Sequence, residues 1–280
     1  MKLRTSILAT LEYSGHFSFP LKYKELFSRL INVKTNNKTL RTQAALMQSK
    51  GEIVLTNSYF HLPHKASLVT SRLSRSRSSF NKLIIANQYA TQLSRLPGVM
   101  AIYLTGSLAV NNANVNDDID FMIITQPGRL WLTRIITTIY CEFVRIRRRP
   151  QSSDNNNALC LNLYLTPDSF SIPHEKRSLY TAYELIQATP LYDPQNTHSG
   201  LLNSNLWLKS YLPNYVITSQ QNHHIYKRSK NVFMRALEYI AYQLQYMYMS
   251  HKITNEFITH DAVFFHPNNP GSKILAKLKL

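Results

Sequence analysis

Cysteine, acidic side chains and long apolar runs are all scarce in this 280-residue chain. Its two cysteines, Cys141 and Cys160, are too few for a disulfide framework or a zinc pattern and argue for a reducing compartment. The longest apolar candidate, residues 130–146, falls short of the roughly 20 residues a membrane crossing needs and carries Arg134 inside it. The N-terminal stretch MKLRTSILATLEY starts like a secretion signal, but Glu12 interrupts an already short apolar segment and no small-residue cleavage site follows. The expectation is a soluble cytoplasmic protein with no membrane partner. The histidines His223, His224, His251, His260 and His266 lack zinc spacing and read as surface positions.

The shortage of acids leaves 15 Asp and Glu against 32 Lys and Arg. The excess is concentrated: residues 1–100 hold 15 basic residues and three acids. Such a field suits a nucleic acid or another polyanion, because neutralising phosphates releases counterions. A chain broadly rich in Lys, Asn, Ile and Tyr would show the same bias without any such partner.

Apolar spacing predicts helices over 3–13, 21–31 and 36–50, then a hairpin over 52–62. Three helices closed by a hairpin resemble a winged helix-turn-helix domain over residues 1–62. That resemblance implies a third helix offering Lys38, Arg41, Gln43 and Lys50 to a major groove, or alternatively a small domain packed on the rest of the protein. Residues 63–96 form a basic helical connector, in which Arg72, Arg75, Arg77 and Lys82 lie close enough to line a groove for phosphate or to form a solvated face.

The most informative stretch is residues 99–126, VMAIYLTGSLAVNNANVNDDIDFMIITQ. A strand-like run ends at Gly106-Ser107, ten residues intervene, and Asp118-Ile119-Asp120 opens a second apolar strand. The two aspartates project from one strand face with Cα atoms about 7 Å apart, a placement that allows them to share divalent metal. Backbone N–H groups reached through Gly106, with the Ser107 hydroxyl, make an anion site suited to a triphosphate. Gly-Ser followed by Asp-x-Asp between apolar flanks resembles the signature of the DNA polymerase beta-like nucleotidyltransferase superfamily, most closely its bacterial stand-alone members.

That resemblance implies an α+β fold, with a nucleotidyltransferase core of mixed sheet and helices at 97–170 and a mainly helical region at 171–280. It implies an NTP substrate and two Mg²⁺ ions held by Asp118 and Asp120 and by a third carboxylate on a neighbouring strand. The next predicted strand, 159–165, has Asn162 at its polar centre, with Asp154 and Asp168 flanking it as substitutes. An amide takes no proton from an acceptor hydroxyl. Arg129 and Arg134 are expected to reach phosphate, with pairing to Asp117 as the alternative for Arg134. Arg145 and Arg147 to Arg149 form a second basic cluster or a solvated helix end.

The resemblance also implies that the helical last third helps shape the acceptor pocket, with Tyr180, Glu184 and Asn205 as candidate lining residues. Phe233, Leu237, Ile240, Leu244 and Met247, spaced by four, three, four and three, are expected to form a core stripe, and Trp131 to be core. The function expected is Mg²⁺-dependent transfer of a nucleoside monophosphate from an NTP to a hydroxyl of an unknown acceptor. The alternative is a catalytically impaired protein of that fold serving as a nucleotide- or nucleic-acid-binding module.

Overall fold

The computed structural model describes residues 1–148, 156–217, 226, 228, 231–250 and 257–264. The chain begins with α1 (Leu3–His16), α2 (Tyr23–Ser28) and α3 (Asn37–Ser49), then β1 (Val54–Thr56) and β2 (Tyr59–His61). The second helix is shorter than the 21–31 expected. Glu25 reaches back to accept the Lys22 N–H at 2.8 Å, which sets its start. The Asn36 side chain caps α3 by accepting the Thr39 N–H at 2.9 Å. Between β1 and β2, Asn57 and Ser58 both have positive φ, 49° and 68°, as a two-residue hairpin turn of this hand requires. Ile7, Leu11, Leu26, Leu40, Met47 and Phe60 meet in one apolar cluster beneath these elements.

A long helix, α4 (Ser67–Leu93), leads into the sheet. Its buried face carries Arg72, Ser79 and Lys82 beside Ala86, Ala90 and Leu93. The strands are β3 (Val99–Leu104), β4 (Ile119–Thr125), β5 (Leu159–Leu165), β6 (Thr189–Tyr192), β7 (Phe257–Ile258) and β8 (Ala262–Phe264). They lie in the order β6-β3-β4-β5-β8-β7, with β4 and β5 parallel and the other pairs antiparallel. The result is a mixed α+β architecture. Three strands come from beyond residue 170, a region read from the sequence as mainly helical.

Alternation along β4 separates two cores. Ile119, Phe121 and Ile123 face α4, α6 (Leu130–Phe143) and α10 (Val232–Ser250). Met122 and Ile124 face α7 (Leu179–Gln187), α8 (Thr197–Asn203) and α9 (Leu208–Tyr211). The period of two puts Asp120 on this second face. Trp131 is fully buried, and its indole N–H donates to the His260 carbonyl at 3.2 Å.

The stripe expected to be core on α10 faces outward instead. Phe233, Ile240, Leu244 and Met247 are more than half exposed, and the inward face carries Glu238, Ala241 and Met249. The reason is polar. The start of α6 needs acceptors for its N–H groups, and the Glu238 carboxylate accepts from Trp131 N–H at 2.7 Å and Leu132 N–H at 3.0 Å. Replacing Glu238 with Ala orphans those donors and should lower stability by about 1–3 kcal/mol. Leu244→Ser should change it by less than about 0.5 kcal/mol; denaturant unfolding of both variants checks the ranking. Among the described residues, no helix is long and apolar enough to cross a membrane.

Candidate functional site

The centre of the molecule is the turn between β3 and its following helical turn, α5 (Gly106–Ala109). Thr105 N–H donates to the Asp120 carbonyl at 2.9 Å, so the turn is tied to the strand that carries the acids. Gly106 has φ +66°, and a Cβ there would stand 2.5 Å from Asp120 Oδ2. Only glycine meets both conditions without strain.

Asp117 organises the loop that follows. Its Oδ2 accepts from Ser107 Oγ at 3.1 Å and from Asn114 N–H at 2.9 Å. From the inward face of α4, Lys82 Nζ donates to the Asp117 carbonyl at 2.6 Å and to the Asn156 and Asn157 side chains at 3.1 and 3.0 Å. Ser79 Oγ accepts the Ala113 N–H, and Arg75 Nε donates to Asn114 Oδ1 at 2.8 Å. The basic helix therefore acts as a brace for this loop. Lys82→Met leaves three acceptors without their donor and should lower the melting temperature, by about 1–3 kcal/mol in stability.

The two aspartates come together with a third group that sequence reasoning missed. One ligand atom each from Asp118, Asp120 and Cys160 lie within 4.8 Å of one another. Asp120 pairs with Cys160 in the β4–β5 register, and the register then shifts, with Phe121 opposite Leu161 and Met122 opposite Leu163. Asn162, expected beside the acids, is the residue that this shift passes over. The irregularity is a tertiary feature that a strand pattern does not carry. Asp154, the first substitute, lies outside the described residues, as do Arg149, His223, His224, His251 and His266. Asp168, the second, pairs with Arg228 at 2.7 Å beyond the far end of β5.

Arg148 was read only as part of a basic cluster, yet it reaches the acids. Its backbone N–H donates to the Leu159 carbonyl at 2.9 Å, which aims the side chain across β5. Its guanidinium forms an ion pair with Asp118 at 2.8 Å and lies 3.6 Å from Cys160 Sγ.

Burial, reinforced by the Asp118 charge, raises the Asp120 carboxyl to about 7, and burial raises Glu184 to about 7. Burial pushes the Cys160 thiol up to about 12, so it is neutral near pH 7. A raised carboxyl means that between about pH 4 and 7 the folded protein holds a proton the unfolded chain has lost. Metal-free stability therefore falls as pH rises through that window. Asp120→Asn removes the Asp120 share of this dependence and leaves that of Glu184, so the variant should gain in melting temperature relative to wild type between pH 5 and pH 8 in EDTA.

Beside the Gly106 turn opens a cavity of about 290 Å³. Its apolar walls include Tyr13 and Phe17 from the α1 end and Tyr180 and Tyr183 from α7. Its polar lining includes Ser107, Asp117 and Glu184, with Arg29 and Arg75. Tyr180 and Glu184 are thus placed where a pocket exists. Asn205 is fully buried elsewhere, donating to the Phe170 and Leu201 carbonyls.

Other expected residues are not brought here. Arg129 follows the far end of β4, which at ~3.3 Å per residue puts it roughly 20 Å from the acids. Arg134 lies on α6, under the opposite sheet face, where it donates to Gln245 Oε1 with its guanidinium 6.0 Å from the Trp131 ring centre. It does not pair with Asp117. Arg72 pairs with Glu25 at 3.2 Å and lies 3.7 Å over the Phe19 ring, so the expected phosphate groove on α4 is dismantled by internal contacts. Only Arg77 of that set is exposed.

No protein-family model, curated protein or solved structure matches this chain. The functional reading therefore rests on the site's own chemistry.

Proposed function

We propose that this protein is a Mg²⁺-dependent nucleotidyltransferase, moving a nucleoside monophosphate from an NTP to a hydroxyl of an acceptor. The observation that carries the reading is the abutment of the Gly106-Ser107 turn on the Asp118–Asp120 pair, with no room for even a Cβ between Gly106 and Asp120 Oδ2. The donor set fits the ion. Magnesium takes oxygen ligands, commonly one or two carboxylates completed by substrate phosphates. Asp118 and Asp120 supply the carboxylates, and the neutral Cys160 thiol does not compete. Burial first, and then the neighbouring Asp118 charge, raise the Asp120 carboxyl, and a divalent cation would relieve both by stabilising the ionised form.

When bound, Mg²⁺ supplies charge stabilisation at the transferring phosphoryl group. The chain's own groups do the rest. Ser107 and the turn's N–H groups orient phosphate, and Arg148 adds a positive charge beside the acid pair. Glu184, raised to about 7 by burial, is suited to accept the proton of an attacking hydroxyl.

Incubation with Mg²⁺ and each α-labelled NTP, over RNA, protein and small-molecule acceptors, should yield label transfer that EDTA abolishes and that fails in Asp118→Ala. Transfer indifferent to Asp118→Ala would move the chemistry elsewhere. Saturable nucleotide binding with no transfer to any acceptor would favour the binding-module reading. A Cys160→Asp variant puts a third carboxylate in register with Asp120 and should tighten Mg²⁺ at least about tenfold, read by calorimetry.

A further inference from the structure

The cavity beside the Gly106 turn is polar in a way the fold alone does not explain. Tyr13 and Asn112 both line it, are 2% and 5% exposed, and each carries a buried polar atom, Tyr13 Oη and Asn112 Oδ1, with no hydrogen-bond partner. Asn112 Nδ2 is already committed to the Phe17 carbonyl at 3.1 Å, which fixes the unused atom as the acceptor oxygen. Buried polar atoms without any protein partner are expensive, so a cavity lined by both favours an occupant that bonds to them. Whatever enters must offer a donor to Asn112 and a hydrogen-bonding group to Tyr13.

The walls narrow the chemistry. The Phe17 and Tyr180 rings lie 6.4 Å apart at the cavity, and the Tyr13 ring is stacked on Tyr183 at 4.6 Å. Aromatic surfaces of this kind accept a planar heterocycle by stacking. At about 290 Å³ the cavity is at the bottom of the roughly 300–1,000 Å³ range of small-molecule sites, matching a compact ring system and not a whole triphosphate. One end touches Ser107 and Asp117, beside the acid cluster.

We infer that this cavity holds the nucleoside, base and ribose, of the nucleotide whose phosphates lie at Gly106-Ser107. The inference rests on the transferase reading for its substrate class and adds the recognition site. The N-terminal helical unit thereby becomes one wall of the substrate pocket, with Tyr13 and Phe17 as binding residues.

Calorimetry on the full chain in EDTA, with adenosine and with ribose 5-phosphate as probes, tests it without metal or turnover. Adenosine should bind, and ribose 5-phosphate should bind at least tenfold more weakly. Tyr13→Phe deletes one orphan hydroxyl, so it should weaken adenosine about fivefold without lowering the melting temperature. Phe17→Ala, at a partly exposed position that leaves the core intact, should weaken it about tenfold. Asp118→Ala should leave adenosine affinity unchanged while abolishing transfer. Failure of adenosine to bind, or equal affinity in wild type, Tyr13→Phe and Phe17→Ala, overturns the pocket. Asp118-dependent transfer surviving alongside that failure would leave the transferase standing without this pocket.

Discussion

Asp120→Asn should reduce nucleotidyl transfer by at least about 10²–10³-fold, the loss typical when one electrostatic contact to a transition state is removed. The substitution keeps size and shape and removes only the charge. Asp120 is held by its own strand, by the Thr105 N–H on its carbonyl and by the Gly106 turn packed on its carboxylate, so the fold survives. In the absence of metal the variant should be more stable than wild type at pH 8, because a carboxyl raised to about 7 by burial is ionised there at a penalty. A protein that gains stability while losing activity places the residue in the chemistry and not in the scaffold. Steady-state transfer rates and thermal melts on one preparation supply both readings.

Gly106→Ala should damage both the fold and the acid pair. A backbone at φ +66° disfavours any Cβ, and this Cβ would stand 2.5 Å from Asp120 Oδ2. The expected loss is about 1–3 kcal/mol in stability, from strain and displaced backbone together. Mg²⁺ affinity should drop as well, since Asp120 is the group displaced. The two effects are separable by a double-mutant cycle. In an Asp120→Ala background the side-chain clash is gone and only the φ penalty remains, so Gly106→Ala should cost distinctly less there. A cost equal in both backgrounds would mean that the turn does not press on the acid.

The three central strands were legible at nearly residue precision, since apolar runs at 99–105, 119–125 and 159–165 become Val99–Leu104, Ile119–Thr125 and Leu159–Leu165. A buried strand writes its period directly into the sequence. So did the Gly-Ser and Asp-x-Asp placements, because both are local features of one strand or one turn. What was not legible depends on distant partners. The strands Thr189–Tyr192, Phe257–Ile258 and Ala262–Phe264 are too short to show a period. Cys160 stands opposite Asp120 because of how the two strands start in register, with Asn162 passed over by a shift further along, and register is a property of two strands at once. The α10 stripe pointed outward because Glu238 was needed to cap α6, an obligation arising more than a hundred residues earlier. Arg148 reaches the site from a segment whose local sequence shows only a basic cluster. Arg72 and Lys82, read as candidate phosphate ligands, are consumed by Glu25 and by the loop ending at Asp117.

The N-terminal elements illustrate the same limit at larger scale. Three helices and a hairpin are visible in the pattern, but not that the end of α1 lines the cavity through Tyr13 and Phe17. The outer face of α3 keeps Lys38, Arg41 and Lys50 exposed. A nucleic acid bound there would show steep salt dependence, whereas a nucleoside in the cavity would not.

Diffraction at the manganese edge, from crystals soaked with Mn²⁺ and an unreactive NTP analogue, tests the central claim most directly. An anomalous peak is expected within about 2.0–2.3 Å of carboxylate oxygens of both Asp118 and Asp120, with phosphate oxygens completing the shell and the phosphates lying against Gly106-Ser107. A peak elsewhere, or none, with the Arg148 guanidinium still paired to Asp118, would contradict it.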